Sequence, residues 1–106
     1  KFLIGEEIRE KALLYLRQEV PHGIAVEITR FWEEDNVVYI DADLVCENDR
    51  HKGMIIGKGG QTLKKIGSEA RAFAESLLLK KVVLKIFVKV EKDWRNKPNV
   101  IKSLGY

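Results

Sequence analysis

Gly57-Lys58-Gly59-Gly60 constrains the fold of this chain more than any other stretch. Three of its four residues carry no side chain, and a helical pattern begins directly after it. Glycine reaches positive φ without a Cβ penalty, so such a run marks a sharp change of direction or a surface that something must approach closely. Downstream, Leu63, Ile66, Ala70, Phe73 and Leu77 recur at alternating threes and fours, which predicts an amphipathic helix ended by Lys80 and Lys81. Upstream, Met54-Ile55-Ile56 reads as a short apolar turn of helical character, after charged residues from Glu47 to Lys52 that break a strand. The loop therefore joins two helices.

The remaining segments alternate. Ile4, Ile8, Ala12 and Leu16, with Leu13 and Val20 beside them, predict a first helix that Pro21 and Gly23 stop. Ile24, Val26 and Ile28 then oppose Glu27 and Thr29 with a period of two, the mark of a half-buried strand. A polar turn at Glu34-Asp35-Asn36 leads to Val38, Ile40, Ala42, Leu44 and Cys46 on one face, with Asp41 and Asp43 on the other. These two strands form an antiparallel hairpin with one wet face. The last strand carries Val82, Leu84, Ile86, Val88 and Val90 inward and Lys85, Lys89 and Glu91 outward. The expected architecture is α+β: order α-β-β-α-α-β, with three helices on one face of a three-stranded sheet. It forms a single domain over residues 1–106, with 93–106 as a C-terminal tail broken at Pro98.

Composition narrows the function classes. With 45% hydrophobic and 33% charged residues the chain can bury one core, and no run reaches the roughly 18 apolar residues a membrane span requires. Cys46 is the single cysteine and has no disulfide partner within the chain. Lys1 in place of Met points to a fragment or a processed product. The net charge of +3 comes from nearly balanced acids and bases, so only a cluster of positive charge implies nucleic acid.

Three chemistries compete for the glycine loop. A nucleotide-binding P-loop needs four residues between its glycines and a hydroxyl after the lysine; Gly53 and Gly57 have three between them, and Gly59 follows Lys58. A dinucleotide fingerprint needs a third glycine where Thr62 stands. A plain structural turn requires one or two glycines, fewer than are present. A G-x-x-G clamp on a nucleic-acid backbone fits best. Gly57 and Gly60 let the chain turn and leave room for a phosphodiester, and Gly59 permits the closest approach. The N–H groups opening the next helix face the anion, Lys58 adds a mobile charge, and Lys64 and Lys65 extend the positive surface. Ile55 and Ile56, with the strand from Val38 to Glu47, are expected to wall an apolar groove for unstacked bases.

The run from Met54 to Gly60, followed by Leu63-Lys64-Lys65-Ile66-Gly67, resembles the type II KH signature. Its flanks resemble the C-terminal KH domain of the Era family of bacterial GTPases. The matching stretches are Ile8-Arg9-Glu10-Lys11, Glu19-Val20-Pro21-His22 with Ala25-Val26-Glu27, Glu69-Ala70-Arg71, Val88-Lys89-Val90 with Trp94, and the ending Leu104-Gly105-Tyr106. The resemblance implies a type II KH fold and RNA binding through Ile55, Ile56, Gly57, Lys58, Gly59, Gly60, Lys64 and Lys65. It implies single-stranded RNA at the 3′ end of small-subunit ribosomal RNA as partner, and a role in assembly of the small ribosomal subunit. GTP and magnesium belong to a separate GTPase domain, so this fragment is expected to hold no cofactor, no metal and no catalytic residue. Localisation is expected to be cytoplasmic, with peripheral association of the parent protein at the inner membrane.

Other residues read more plainly. His22 and His51 lack a nucleophile or a second metal ligand at useful spacing, so His22 is expected to be structural and His51 a solvated residue at a helix start. Cys46 is a small core residue, and Asp41 and Asp43 share a solvated face. Trp32 and Trp94 lie beyond the patterned strands and are assigned to packing. Two rivals remain: a KH domain of another ribosome-associated protein, and a protein-interaction domain whose loop no longer binds RNA.

Overall fold

A computed structural model describes residues 1–16 and 23–92. Val20, Pro21, His22, Trp94 and the ending Leu104-Gly105-Tyr106 lie outside the described residues, as does the side chain of Leu16. The chain runs α1 (Phe2–Leu16), β1 (Ala25–Glu34), β2 (Val37–Cys46), α2 (Asp49–Ile56), a 3-10 turn (Lys58–Gly60), α3 (Gln61–Leu78) and β3 (Lys81–Val90). This is the expected α+β order.

The sheet order is β1-β2-β3, antiparallel between β1 and β2 and parallel between β2 and β3. Asp35 and Asn36 both have positive φ, so β1 and β2 meet in a two-residue turn whose twist suits a hairpin. A parallel pair cannot be closed by a tight turn. The α2–turn–α3 segment supplies the crossover that brings β3 alongside β2, and this connection carries the glycine loop.

Core residues come from every layer. Ile4, Ile8 and Ala12 of α1, Ile55 of α2 and Ile66, Ala70 and Ala74 of α3 cover Val38, Ile40, Ala42, Leu44 and Cys46 of β2. The three alanines let the helices sit close to one another and to the sheet. α1 and α3 are also tied by the Tyr15 hydroxyl, which donates to Glu69, and by Lys11, whose ammonium lies 3.6 Å from the same carboxylate.

Several expectations shift. The buried stripe of α3 is Ile66-Ala70-Ala74, whereas Leu77 in the last turn is 45% exposed. The helix stops at Leu78, with Leu79 in the left-handed region, rather than at the lysine pair. Lys80 instead pairs with Glu33 at 2.7 Å, and Lys81 opens β3. The charged stretch after β2 is the first turn of α2, capped by the Asn48 side chain, which accepts from the His51 N–H at 2.8 Å. A bulge between Ile28 and Arg30 inserts Thr29 and resets the alternation of β1. Ile28 and Phe31 both pack on the core, while Arg30 and Trp32 turn to the open face. There Trp32 stacks on Tyr39 (centroids 5.2 Å apart, planes 13°), and the Arg30 guanidinium lies 4.2 Å from the indole centroid. Trp32 thus belongs to β1 itself. Asp43 is covered rather than solvated, 2.7 Å from the Lys89 ammonium on the neighbouring strand.

Candidate nucleic-acid interface

The loop begins where α2 can no longer continue. Gly57 has φ 75° and ψ 174°, a region only glycine occupies freely. Its N–H closes α2 by donating to the Gly53 carbonyl at 2.9 Å. A Cβ at Gly57 would lie 2.3 Å from Thr62 Oγ1 and 3.0 Å from the Thr62 nitrogen. Gly57 is therefore demanded twice, by its backbone angles and by the first turn of α3 folded against it. Gly59 (φ 62°) and Gly60 (φ 77°) are left-handed too, yet a Cβ at either would meet nothing within 4 Å. Their open side faces outward. No side chain caps the 3-10 turn or α3; the Gly60 N–H donates to the Gly57 carbonyl at 3.1 Å and the Gln61 N–H to the Lys58 carbonyl, so the turn closes on its own backbone. Lys58 stands exposed at the tip.

Next to the loop lies an open groove of about 390 Å³ between α3 and β3. α3 contributes Leu63, Lys64, Gly67, Ser68 and Arg71 after Gly60, and β3 contributes Leu84 and Ile86. Leu63, Leu84 and Ile86 are half-buried, giving an apolar floor, while Lys64, Ser68 and Arg71 form a polar rim. A Cβ at Gly67 would reach ordinary contact with Ile86 Cδ1 at 3.9 Å, so this bare helix position keeps the groove open. The floor suits the flat faces of unstacked bases and the rim suits phosphates and base edges.

A family profile for the KH domain matches residues 19–95. The chain belongs to the KH domain family. Two similar proteins are the GTPase Era of Clostridium acetobutylicum, 58% identical over 106 residues, and that of Clostridium botulinum, 55% identical over 107 residues. Each match covers 100% of this chain and 36% of the relative. The chain corresponds to the C-terminal KH portion of Era, and the catalytic GTPase domain lies outside it. Among solved structures, Aquifex aeolicus Era bound to GDP.AlF4- superposes with a TM-score of 0.92 at 40% identity, covering 98% of this chain and 36% of that one. Era in complex with MgGDPNP and nucleotides 1506–1542 of 16S ribosomal RNA superposes with a TM-score of 0.93, also at 40% identity, covering 98% and 35%.

Within this KH domain the anticipated site residues separate into three groups. Gly57, Lys58, Gly59 and Gly60 form one continuous turn, and Lys64 stands on the groove rim beside it. Lys65 sits one residue further round α3, outside the groove, with Gln61, Ser68 and Glu69 as neighbours on the outer helix face. Ile55 is fully buried, so it anchors α2 to the core from beneath the loop and does not line the groove; Ile56 is half-buried.

The strand is corrected as well. β2 has a neighbour on each side, and its helix-facing side chains are sealed in the core. β3 is the edge strand that lies beside α3 at the groove, and its Leu84 and Ile86 form the groove wall. Sequence reasoning missed Gly67, Ser68, Arg71, Leu84 and Ile86 as groove residues. Gly60, Lys64, Gly67 and Arg71 follow one another at fours and threes, a second stripe beside the core stripe, and that signal was legible.

Away from the groove, His51 turns Nδ1 inward, buried and without a hydrogen-bond partner, instead of standing in solvent. Burial pushes the Cys46 thiol up, against the lowering influence of the Asn48 carbonyl and Lys52. Neither residue lines the groove.

Proposed function

We propose that this chain binds single-stranded RNA as the RNA-binding part of an Era-type GTPase, at the 3′ end of small-subunit ribosomal RNA, and that it serves small-subunit assembly. The observation that carries this reading is the solved Era complex with nucleotides 1506–1542 of 16S ribosomal RNA, whose KH portion this chain matches at a TM-score of 0.93. The bare backbone of the Lys58–Gly60 turn and the N-terminal end of α3 receive about three or four phosphates, with Lys58 and Lys64 supplying positive charge beside them. Successive bases are splayed over Leu63, Leu84 and Ile86. GTP and magnesium act in the separate GTPase part, and the parent works in the cytoplasm with peripheral inner-membrane contact. No helix among the described residues is long and apolar enough to cross a membrane.

Fluorescence anisotropy with a short RNA copied from the ribosomal 3′ end, beside a scrambled RNA, tests the reading. Lys58→Asp with Gly59→Asp should abolish binding. Wild-type log affinity should fall with log salt at a slope of about −2 to −3, for three or four phosphates at roughly −0.7 each. Preference for the ribosomal RNA over the scrambled one supports the Era assignment. Binding that survives the double substitution, or no binding by the wild type, overturns the clamp and favours a protein-interaction role.

A further inference from the structure

A clamp on phosphates positions a strand but carries no information about its bases, so base choice must come from side chains further along the groove. Two cationic side chains line it, Lys64 and Arg71, seven residues apart and thus on one face of α3. Lys64 lies one turn from Gly60, within reach of the clamped backbone. Arg71 lies about three turns on, roughly 16 Å along the helix axis at 1.5 Å per residue.

Its surroundings are specific. The Arg71 guanidinium is half exposed and 3.7 Å from Glu75 Oε2, too far for a hydrogen bond. That same oxygen accepts the Val82 N–H at 3.0 Å, which fixes Glu75 to the start of β3. Glu75 therefore holds Arg71 near the far end of the groove without consuming its donors. A solvent-exposed pair of this length contributes little, so redirecting the guanidinium to a ligand sacrifices little.

We infer that Arg71 is the specificity-determining residue of the groove and reads a base presenting two adjacent hydrogen-bond acceptors; this deepens the RNA-binding reading and rests on it. Guanidinium offers a rigid fork of donors and no acceptor. Two neighbouring acceptors match that fork: N3 and O2 of cytosine, or O6 and N7 of guanine. Adenine sets an amine donor beside its ring acceptors, and uracil places an N–H between its two carbonyls. Each leaves part of the fork unmatched.

The test uses the full chain with U-rich octaribonucleotides whose two central positions are AA, CC, GG or UU. Wild type should bind the CC or the GG probe about five- to 150-fold more tightly than AA and UU, the discrimination of one bidentate contact. The two arms decide between cytosine and guanine. Arg71→Lys keeps the charge but loses the fork, and should bring the four affinities together with the salt slope unchanged. Arg71→Gln should also lose the preference while still binding the probes, and thermal melts confirm that both variants are folded.

Retention of the wild-type preference by Arg71→Lys overturns the inference. So does a uniform weakening of all four probes with a shallower salt slope, which would make Arg71 a phosphate contact. Failure of wild type to bind any probe would instead overturn the RNA-binding reading, so the two failures are distinguishable.

Discussion

Replacing single loop glycines should separate the one that folds the domain from those that receive the ligand. Gly57→Ala forces a Cβ to within 2.3 Å of Thr62 Oγ1, 2.7 Å of Thr62 Cβ and 3.0 Å of the Thr62 nitrogen. The backbone conformation, essentially restricted to glycine, adds about 1–3 kcal/mol of strain. Overpacking of this kind typically costs another 1–3 kcal/mol. A total of roughly 2–6 kcal/mol is a large share of a domain's 5–15 kcal/mol. With a urea m-value of about 2 kcal/mol/M, the unfolding midpoint should drop by about 1–3 M.

A Cβ at Gly59 meets no atom within 4 Å, and aspartate tolerates the left-handed region, so Lys58→Asp with Gly59→Asp should move the midpoint by less than about 0.5 M while abolishing RNA binding. Adding Thr62→Ala to Gly57→Ala removes the hydroxyl contact alone and should restore stability only in part. Equal destabilisation by Gly57→Ala and Gly59→Ala, or full rescue by Thr62→Ala, would refute the assignment of Gly57 to the fold.

Leu79 ends α3 with φ 56° and is 86% exposed, so Leu79→Gly relieves left-handed strain and loses almost no contact. A net gain of about 0.5–1 kcal/mol remains after glycine's own entropic cost, seen as a rise of roughly 2–8 °C in calorimetric Tm. Gly67→Ala should stabilise α3 by about 0.5–1 kcal/mol through helix propensity. Gly67→Leu fills the space beside Ile86 and should weaken RNA affinity in anisotropy titrations while the fold persists; unchanged affinity would place the bases elsewhere. Burial raises the Cys46 thiol above its ordinary range, so the folded chain holds that proton after the unfolded chain has lost it. That contribution is complete below the unfolded thiol pKa of about 8.5 and is lost as pH rises through the higher folded value. Urea melts between neutral pH and about pH 10 should show wild type losing stability more steeply than Cys46→Ala, and an equal slope would contradict it.

Much of this molecule is legible one element at a time. The period of Ile4-Ile8-Ala12 and the alternation of Val38 through Cys46 mark a helix and a strand, because burying one face imposes a repeat that needs no knowledge of the partner. The glycine loop is equally local: three bare residues before an amphipathic helix can only turn sharply or admit a ligand. Periodicity reports inside from outside but is silent on lateral neighbours. That is why alternation alone points to the central strand as the groove wall, and why Leu84 and Ile86 read as plain core. Only the parallel pairing through the α2–α3 crossover places β3 at the edge beside α3 and leaves its flank open.

The apolar run Met54-Ile55-Ile56 shows the same limit, since Ile55 points into the core and cannot touch a base. One inserted residue, Thr29, then switches the rest of β1 from one face to the other and brings Trp32 against Tyr39. The helices, the strands and the glycine turn are readable from the sequence alone, because each follows from a local repeat or from bare backbone. The tertiary structure decided which strand walls the groove and put Arg71 above it, because strand order and register depend on distant segments meeting.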